Sequence, residues 1–329
     1  MVDIKFKQCE NPIDAAAFES GFTNYMLRLT YRREGNWLYA DLMPQGNIGV
    51  SSFALSHAVC VGETVRIITD AEQKFAIFRL DDYIERLEKS GLEMGLPALD
   101  KNLLTYGISE LLKLERRCLS GGTVFAHITL TSCDPDPSDY YVKQAVVTVI
   151  LEKVKPMPMS EGISVVATTD CMLSQPHKNG AHYMHAVRES NKRVSDMGYD
   201  SALWLDSVYN RYINSLSGHD LMIRIDDRIM VCGNGVTADS ARQLFNDWGI
   251  EVSLAKISTD WLKKAYKEGT LHEIFALNTR DVILPVTKLT VGEDVFEFDK
   301  PKLSKKLYDA LISIEKGEYV TTYNWVTRV

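Results

Sequence analysis

A chain of 329 residues, 45% hydrophobic and 25% charged, carries enough apolar surface for more than one core, which points to two folded domains and excludes long disorder. Its formal net charge of −7 comes without a clustered Lys and Arg stripe, so a nucleic-acid surface is not expected and small molecules are the expected partners. The start, MVDIKFKQCENPIDAAAF, lacks the apolar core of a signal peptide, and no run reaches the ~18 apolar residues that span a bilayer; a cytoplasmic location is expected.

In chain order, GNWLYADLMP and ETVRIITD are strand-like. LDDYIERLEKSGLEMG places apolar or small residues at Tyr83, Ile84, Leu87 and Gly91-Leu92, a helical period that Gly95 and Pro97 stop. A second helix, KNLLTYGISELLKLERR, precedes the strands GTVFAHITLTS and QAVVTVILEKV, which the turn-rich CDPDPSDYY separates. This half reads as α+β.

KPMPMSEG, residues 155–162, carries two prolines within four residues and marks an interdomain linker, giving a small domain over 1–154 and a large one over 163–329. The second half begins with the strand ISVVATTD, a helix over 181–197 and the strand YDSALWLDS. HDLMIRIDDRIMVCG reads as a hairpin turning at Asp226-Asp227. TADSARQLFNDWG and STDWLKKAYKEG open with Thr237 and with Ser258 or Thr259 as N-caps and close on glycines. KPKLSKKLYDALISIEKGE is a last amphipathic helix. The six cysteines show neither CxxC pairs nor metal-ligand spacing, so buried thiols are expected, with no disulfide framework and no metal site.

Among chemical motifs, no GxSxG elbow is present, which removes serine hydrolase chemistry of that type. GNGVT at 233–237 is a fragment of a phosphate-binding loop; it links a hairpin to a helix start, where free N–H groups suit an anion, but an ordinary glycine turn explains it equally. Lys178, in SQPHKNGAHYMHAV, follows Pro176 in a polar turn just ahead of a helical pattern.

Several separated segments share an order. GFTNYM at 21–26 is similar to an FTD-x-M opening, FRLDDYIERLEKS to FRP-x-x-N-x-x-R-x-x-x-S, HKNGAHY to K-x-G-G-N-Y, LWLD to a vLWL strand, GVT at 235–237 to PGVT, and LNTRDVILPV to SGT-x-x-x-x-x-PV. Together with the tail helix, these resemble the fold-type IV aminotransferases, the class IV pyridoxal-phosphate enzymes that include branched-chain and D-amino-acid aminotransferases, and within them the branched-chain type. The resemblance implies a two-domain α+β fold of the D-amino-acid aminotransferase kind. It also implies pyridoxal 5'-phosphate as cofactor, bound between the domains, an amino acid and a 2-oxo acid as substrates, and a homodimer.

By that resemblance, Lys178 forms the Schiff base and moves the substrate proton. Tyr183 bonds the cofactor's phenolate oxygen. Arg86 grips the phosphate, with the amides of Val236 and Thr237 and the hydroxyl of Thr279. Ser215 stands where the family places a glutamate against the pyridine nitrogen, in YINSLSGHDLM. A carboxylate would keep that nitrogen protonated; a hydroxyl only shares a hydrogen bond. On the substrate side, Phe22 lies in the opening motif, His127 replaces an arginine of the first domain, and Val61 replaces a tyrosine. A second arginine is missing from TTDCMLSQPHK, and ENLF becomes HDLM. Three readings follow: a transaminase of modified specificity, a lyase or eliminase on the same scaffold, and a non-catalytic descendant.

Overall fold

A computed structural model describes residues 4–10, 12–14, 19–32, 36–45, 58–70, 74–133, 142–155, 158–168, 181–254, 256–319 and 321–329. The chain folds as two compact units, one built on Met1–Met157 with Ser313–Val329 and the segment that ends at His182, the other on the stretch from Pro158 and on Tyr183–Ile312. Among the described residues no helix is long and apolar enough to cross a membrane, and no cluster of His, Cys, Asp or Glu is placed to hold a metal.

The first unit begins with strands β1 (Ile4–Phe6), β2 (Gly21–Arg32), β3 (Asn36–Pro44), β4 (Cys60–Thr69) and β5 (Phe75–Phe78). Helices α1 (Leu80–Glu93), α2 (Lys101–Leu114) and the short α3 (Arg116–Leu119) follow, then β6 (Thr123–Ser132) and β7 (Gln144–Val154). The strands lie in the order β1-β3-β2-β7-β6-β4-β5, antiparallel except for β1 on β3. β7 alternates buried and half-buried residues along its length, the period-two signature of a sheet with one covered face. The covering comes from the helices: α1 buries Leu80, Tyr83, Ile84, Leu87 and Gly91, while α2 approaches β2 at Gly107. A Cβ at Gly107 would stand 2.5 Å from Leu27 Cδ2, so only glycine permits that approach. The helix expected over 101–117 breaks at Glu115, because the buried Glu115 carboxylate turns to accept the Tyr25 N–H of β2 at 2.7 Å.

The second unit comprises β8 (Ile163–Thr168), α4 (Ala181–Asp196), β9 (Ser201–Leu205), β10 (Ile213–Leu216), β11 (Asp220–Ile225), β12 (Arg228–Cys232) and α5 (Val236–Asp247). It continues with β13 (Glu251–Leu254), α6 (Thr259–Lys267), β14 (Leu271–Asn278), β15 (Val282–Val291), β16 (Asp294–Glu297) and α7 (Leu303–Glu315). The strand order is β10-β9-β8-β15-β14-β11-β12-β13, with β16 against β15. Val165, Leu203, Ile213, Leu221, Ile223, Ile274 and Leu289 share one buried core. The β11–β12 hairpin turns at Asp226-Asp227 as expected, and Ser258 caps α6 by accepting the Trp261 N–H at 3.2 Å. The cap of α5 is Gly235 rather than Thr237, which lies inside the helix, because the chain already bends where Gly235 is held.

The residues from Ser313 on join the first unit, a departure from a boundary that kept everything past 163 together. β17 (Val326–Arg328) pairs antiparallel with β5, Trp325 packs edge-on against Phe78, and Arg328 pairs with Asp70 at 2.9 Å. Glu315 meets Arg66 at 2.9 Å with both side chains buried; burial pushes the Glu315 carboxyl up, against the pull of Arg66. Of the cysteines, Cys118 and Cys232 are buried as expected, Cys9 and Cys60 are half-buried, and Cys133 is exposed; Cys171 lies outside the described residues.

Candidate functional site

Within the second unit, a row of side chains crosses three strands. Thr168 ends β8 opposite Trp204 of β9, and Trp204 lies opposite Ser215 of β10, so the three share a face of the sheet. A register shift between Ile213 and Ser215 re-aims the strand just before the serine. α4 covers this face. Tyr183, at its first turn, packs edge-on against Trp204 with ring centroids 5.8 Å apart, and Trp204 Nε1 donates to Ser190 Oγ at 2.8 Å. Tyr183 and Ser215 are both buried. The row also holds a buried hydroxyl with no hydrogen-bond partner among the described residues, Thr168 Oγ1; Ser217 Oγ, on the turn after Ser215, is another. Enclosed hydroxyls of this kind want a partner, which a bound polar group can supply.

The adjoining edge gathers three turns. Asp220 opens β11, where its carboxylate accepts the Gly235 N–H at 2.7 Å. Gly233 lies against that carboxylate with φ 129°, a conformation that favours glycine, and a Cβ there would overlap Asp220. α5 therefore starts in a fixed place. The Asp220 carboxylate thus takes the N-cap N–H, and the first turn that follows, Val236, Thr237 and Ala238, is buried. Asp220 also pairs with Leu277, which brings in the β14–β15 hairpin that carries Thr279, half-buried, at its turn. That hairpin is locked: Asn278 and Asp281 exchange hydrogen bonds at 2.6 and 2.8 Å, and Val282 sits at φ 63°. A β-branched residue there costs about 1–3 kcal/mol and persists only where its surroundings impose it. His219 Nδ1 donates to the Ser217 carbonyl at 2.8 Å, and Nε2 lies 3.9 Å from Asp281. His219, then Asn278, hold the Asp281 carboxyl below its usual range, against partial burial.

The first unit carries the remaining candidates. Arg86, on α1, meets Glu63 of β4 at 2.8 Å. His127 of β6 lies between Thr64 and Glu152: Nε2 is 3.0 Å from the Glu152 carboxylate and Nδ1 3.2 Å from Thr64 Oγ1. A carboxylate only accepts, so Nε2 carries the hydrogen, and in the neutral ring Nδ1 accepts from the hydroxyl; that ring has no further hydrogen to offer a carboxylate. Phe22, 49% exposed, stands 6.0 Å from the His127 ring. Val61, 2% exposed, faces Gly91 of α1. Lys178 lies outside the described residues, as do Pro176 and the segment in which an arginine is missing.

Sequence reasoning missed Thr168, Trp204, Asp220, Glu63 and Glu152 as members of these clusters. Asp220 left a trace in the change from ENLF to HDLM, and Trp204 in the LWLD match. The donor set fits pyridoxal phosphate: a buried helix start with threonine hydroxyls for a phosphate, and a small hydroxyl beside a buried aromatic row for a ring.

No family model matches the chain. It is 24% identical to branched-chain-amino-acid transaminase 1 of Bacillus subtilis, over 99% of this chain and 97% of that protein. It is 26% identical to a probable branched-chain-amino-acid aminotransferase of Staphylococcus epidermidis, over 95% of this chain and 93% of that protein. Among solved structures, the branched-chain aminotransferase of Thermoproteus uzoniensis with norvaline superposes with TM-score 0.73 at 18% identity, covering 92% of this chain and 99% of that one. An aminotransferase of Brucella abortus bound to the cofactor PLP gives 0.69 at 16% identity, covering 88% and 99%. The chain thus resembles branched-chain aminotransferases almost end to end and has their α+β fold.

Proposed function

We propose that the chain is a pyridoxal-phosphate-dependent aminotransferase that moves an amino group from a branched-chain or related amino acid to a 2-oxo acid, as a cytoplasmic homodimer. The observation that carries this reading is the edge of the second unit, where a buried helix start, the Thr279 hairpin and the Ser215 row lie on linked turns in a chain similar to aminotransferases over nearly its full length.

Bound there, pyridoxal phosphate supplies an aldehyde that takes up the amino group and a ring that accepts the electron pair from the substrate Cα. The chain's own groups do the rest. The amides of Val236 and Thr237, the Thr279 hydroxyl and the Arg86 guanidinium would hold the phosphate. Tyr183 would hydrogen-bond the ring oxygen, and the Ser215 hydroxyl would meet the ring nitrogen without an ion pair. Lys178 Nζ would take the proton from the substrate Cα and return it, as general base and then acid. Phe22 and His127 would line the substrate side, with the His127 ring already engaged by Glu152 and Thr64.

The test is amino transfer itself. The chain loaded with cofactor, given leucine and a 2-oxo acid, should form the leucine-derived 2-oxo acid and the new amino acid in equal amounts. With serine, whose hydroxyl can leave from Cβ, release of pyruvate and ammonia with no new amino acid would instead mark an eliminase.

A further inference from the structure

Arg86 projects from α1 and is held from the sheet below. Its Nε donates to Glu63 Oε1 at 2.8 Å and its Nη2 to Oε2 at 3.4 Å, so both carboxylate oxygens grip one side of the guanidinium. The Glu63 side chain is 5% exposed and that of Arg86 is 32% exposed; the carboxylate is the enclosed member and the guanidinium the one that reaches outward. Glu63 lies between Val61 and Val65 on β4, both buried, so an acidic group occupies a stripe that is otherwise apolar. A desolvated carboxylate is costly at such a place unless its partner is well fixed.

We infer that Glu63 is the positioning residue of the phosphate grip: it fixes the plane of the Arg86 fork and turns the guanidinium toward the anion, without touching the cofactor itself. This rests on the reading of Arg86 as a phosphate ligand. A guanidinium has five N–H donors in one plane, so a carboxylate that takes Nε and one Nη hydrogen sets the direction of the others. An arginine without that partner would lose more rotamer freedom on closing around the phosphate, and affinity would fall by that cost. Lysine at 86 would keep the charge and lose the plane.

The experiment compares pyridoxal phosphate with pyridoxal, which lacks the phosphate, in absorbance titrations of the cofactor-stripped full chain, with melting temperature as a control. Glu63→Gln should weaken pyridoxal phosphate binding by about 10–100-fold, the scale of one hydrogen bond to a charged group, and leave pyridoxal binding unchanged. Arg86→Ala should weaken it at least as much, and Glu63→Gln added to Arg86→Ala should cost less than about two-fold more, because coupled residues are not additive. Should Glu63→Gln fail to fold, Arg86→Lys carries the test: it should weaken the phosphate form alone, by a similar factor. Equal loss for both ligands, an unchanged phosphate form in Glu63→Gln, or full additivity in the double variant overturns the positioning role. If Arg86→Ala binds pyridoxal phosphate as tightly as the unaltered chain, the phosphate reading of Arg86 has failed, and the role of Glu63 with it.

Discussion

Ser215 is where this chain departs most from the pattern it resembles. It is buried opposite Trp204 after a shift in strand register, so its hydroxyl has a defined direction and little room. A carboxylate in its place would raise the protonated fraction of a ring nitrogen, and each pKa unit gained corresponds to about 1.4 kcal/mol between the two protonation states. Ser215→Glu should therefore speed the half-reaction with leucine, read by stopped-flow absorbance on the cofactor-loaded protein. Equal or slower reaction in a folded, loaded variant would locate the limitation on the substrate side, where His127 is spent on Glu152 and Thr64. At this scale the sequence nominates residues that sit in an ordered motif, Tyr183 and Thr279 among them. It was silent on Thr168, whose place beside Trp204 and Ser215 depends on the pairing of three strands that are remote in sequence.

Among the elements, helices were the more legible because their apolar period is local. α1 buries the positions its spacing predicts, apart from Leu92, which is exposed, and α5 and α6 end at Gly249 and Gly269 with positive φ as anticipated. The strands β14 to β16 were not identified. β14 has a near-continuous buried run rather than an alternation, and a run of that kind does not separate a strand from a buried helix. Loop 206–212 was equally opaque: the Asp206 carboxylate collects the amides of Tyr212, Tyr209, Arg211 and Val208, which hold its pKa at about 2, the Tyr212 amide first. The packing of α2 on β2 is testable at one atom. Gly107→Ala adds a methyl 2.5 Å from Leu27 Cδ2, and overpacking of this size should cost about 1–3 kcal/mol in urea unfolding. An unchanged or raised midpoint would mean that the helix can lift from the strand freely.

For the whole molecule, length and the proline-bearing stretch at 155–162 suggested two bodies; the two compact units exchange chain at Met157 and Pro158, again at His182 and Tyr183, and at Ile312 and Ser313. The return of the C-terminal segment to the first unit was not legible, because β17 is three residues long and its match to β5 is a matter of tertiary pairing rather than pattern. Every role proposed above depends on pyridoxal phosphate being held on one lysine. The most direct test is borohydride reduction of the purified, cofactor-loaded chain, followed by peptide mass analysis. The expected result is a visible absorbance band that reduction abolishes, one phosphopyridoxyl group fixed on the peptide bearing Lys178, and no adduct in Lys178→Ala. A group fixed on another lysine, or none at all in a folded chain saturated with the cofactor, would contradict it.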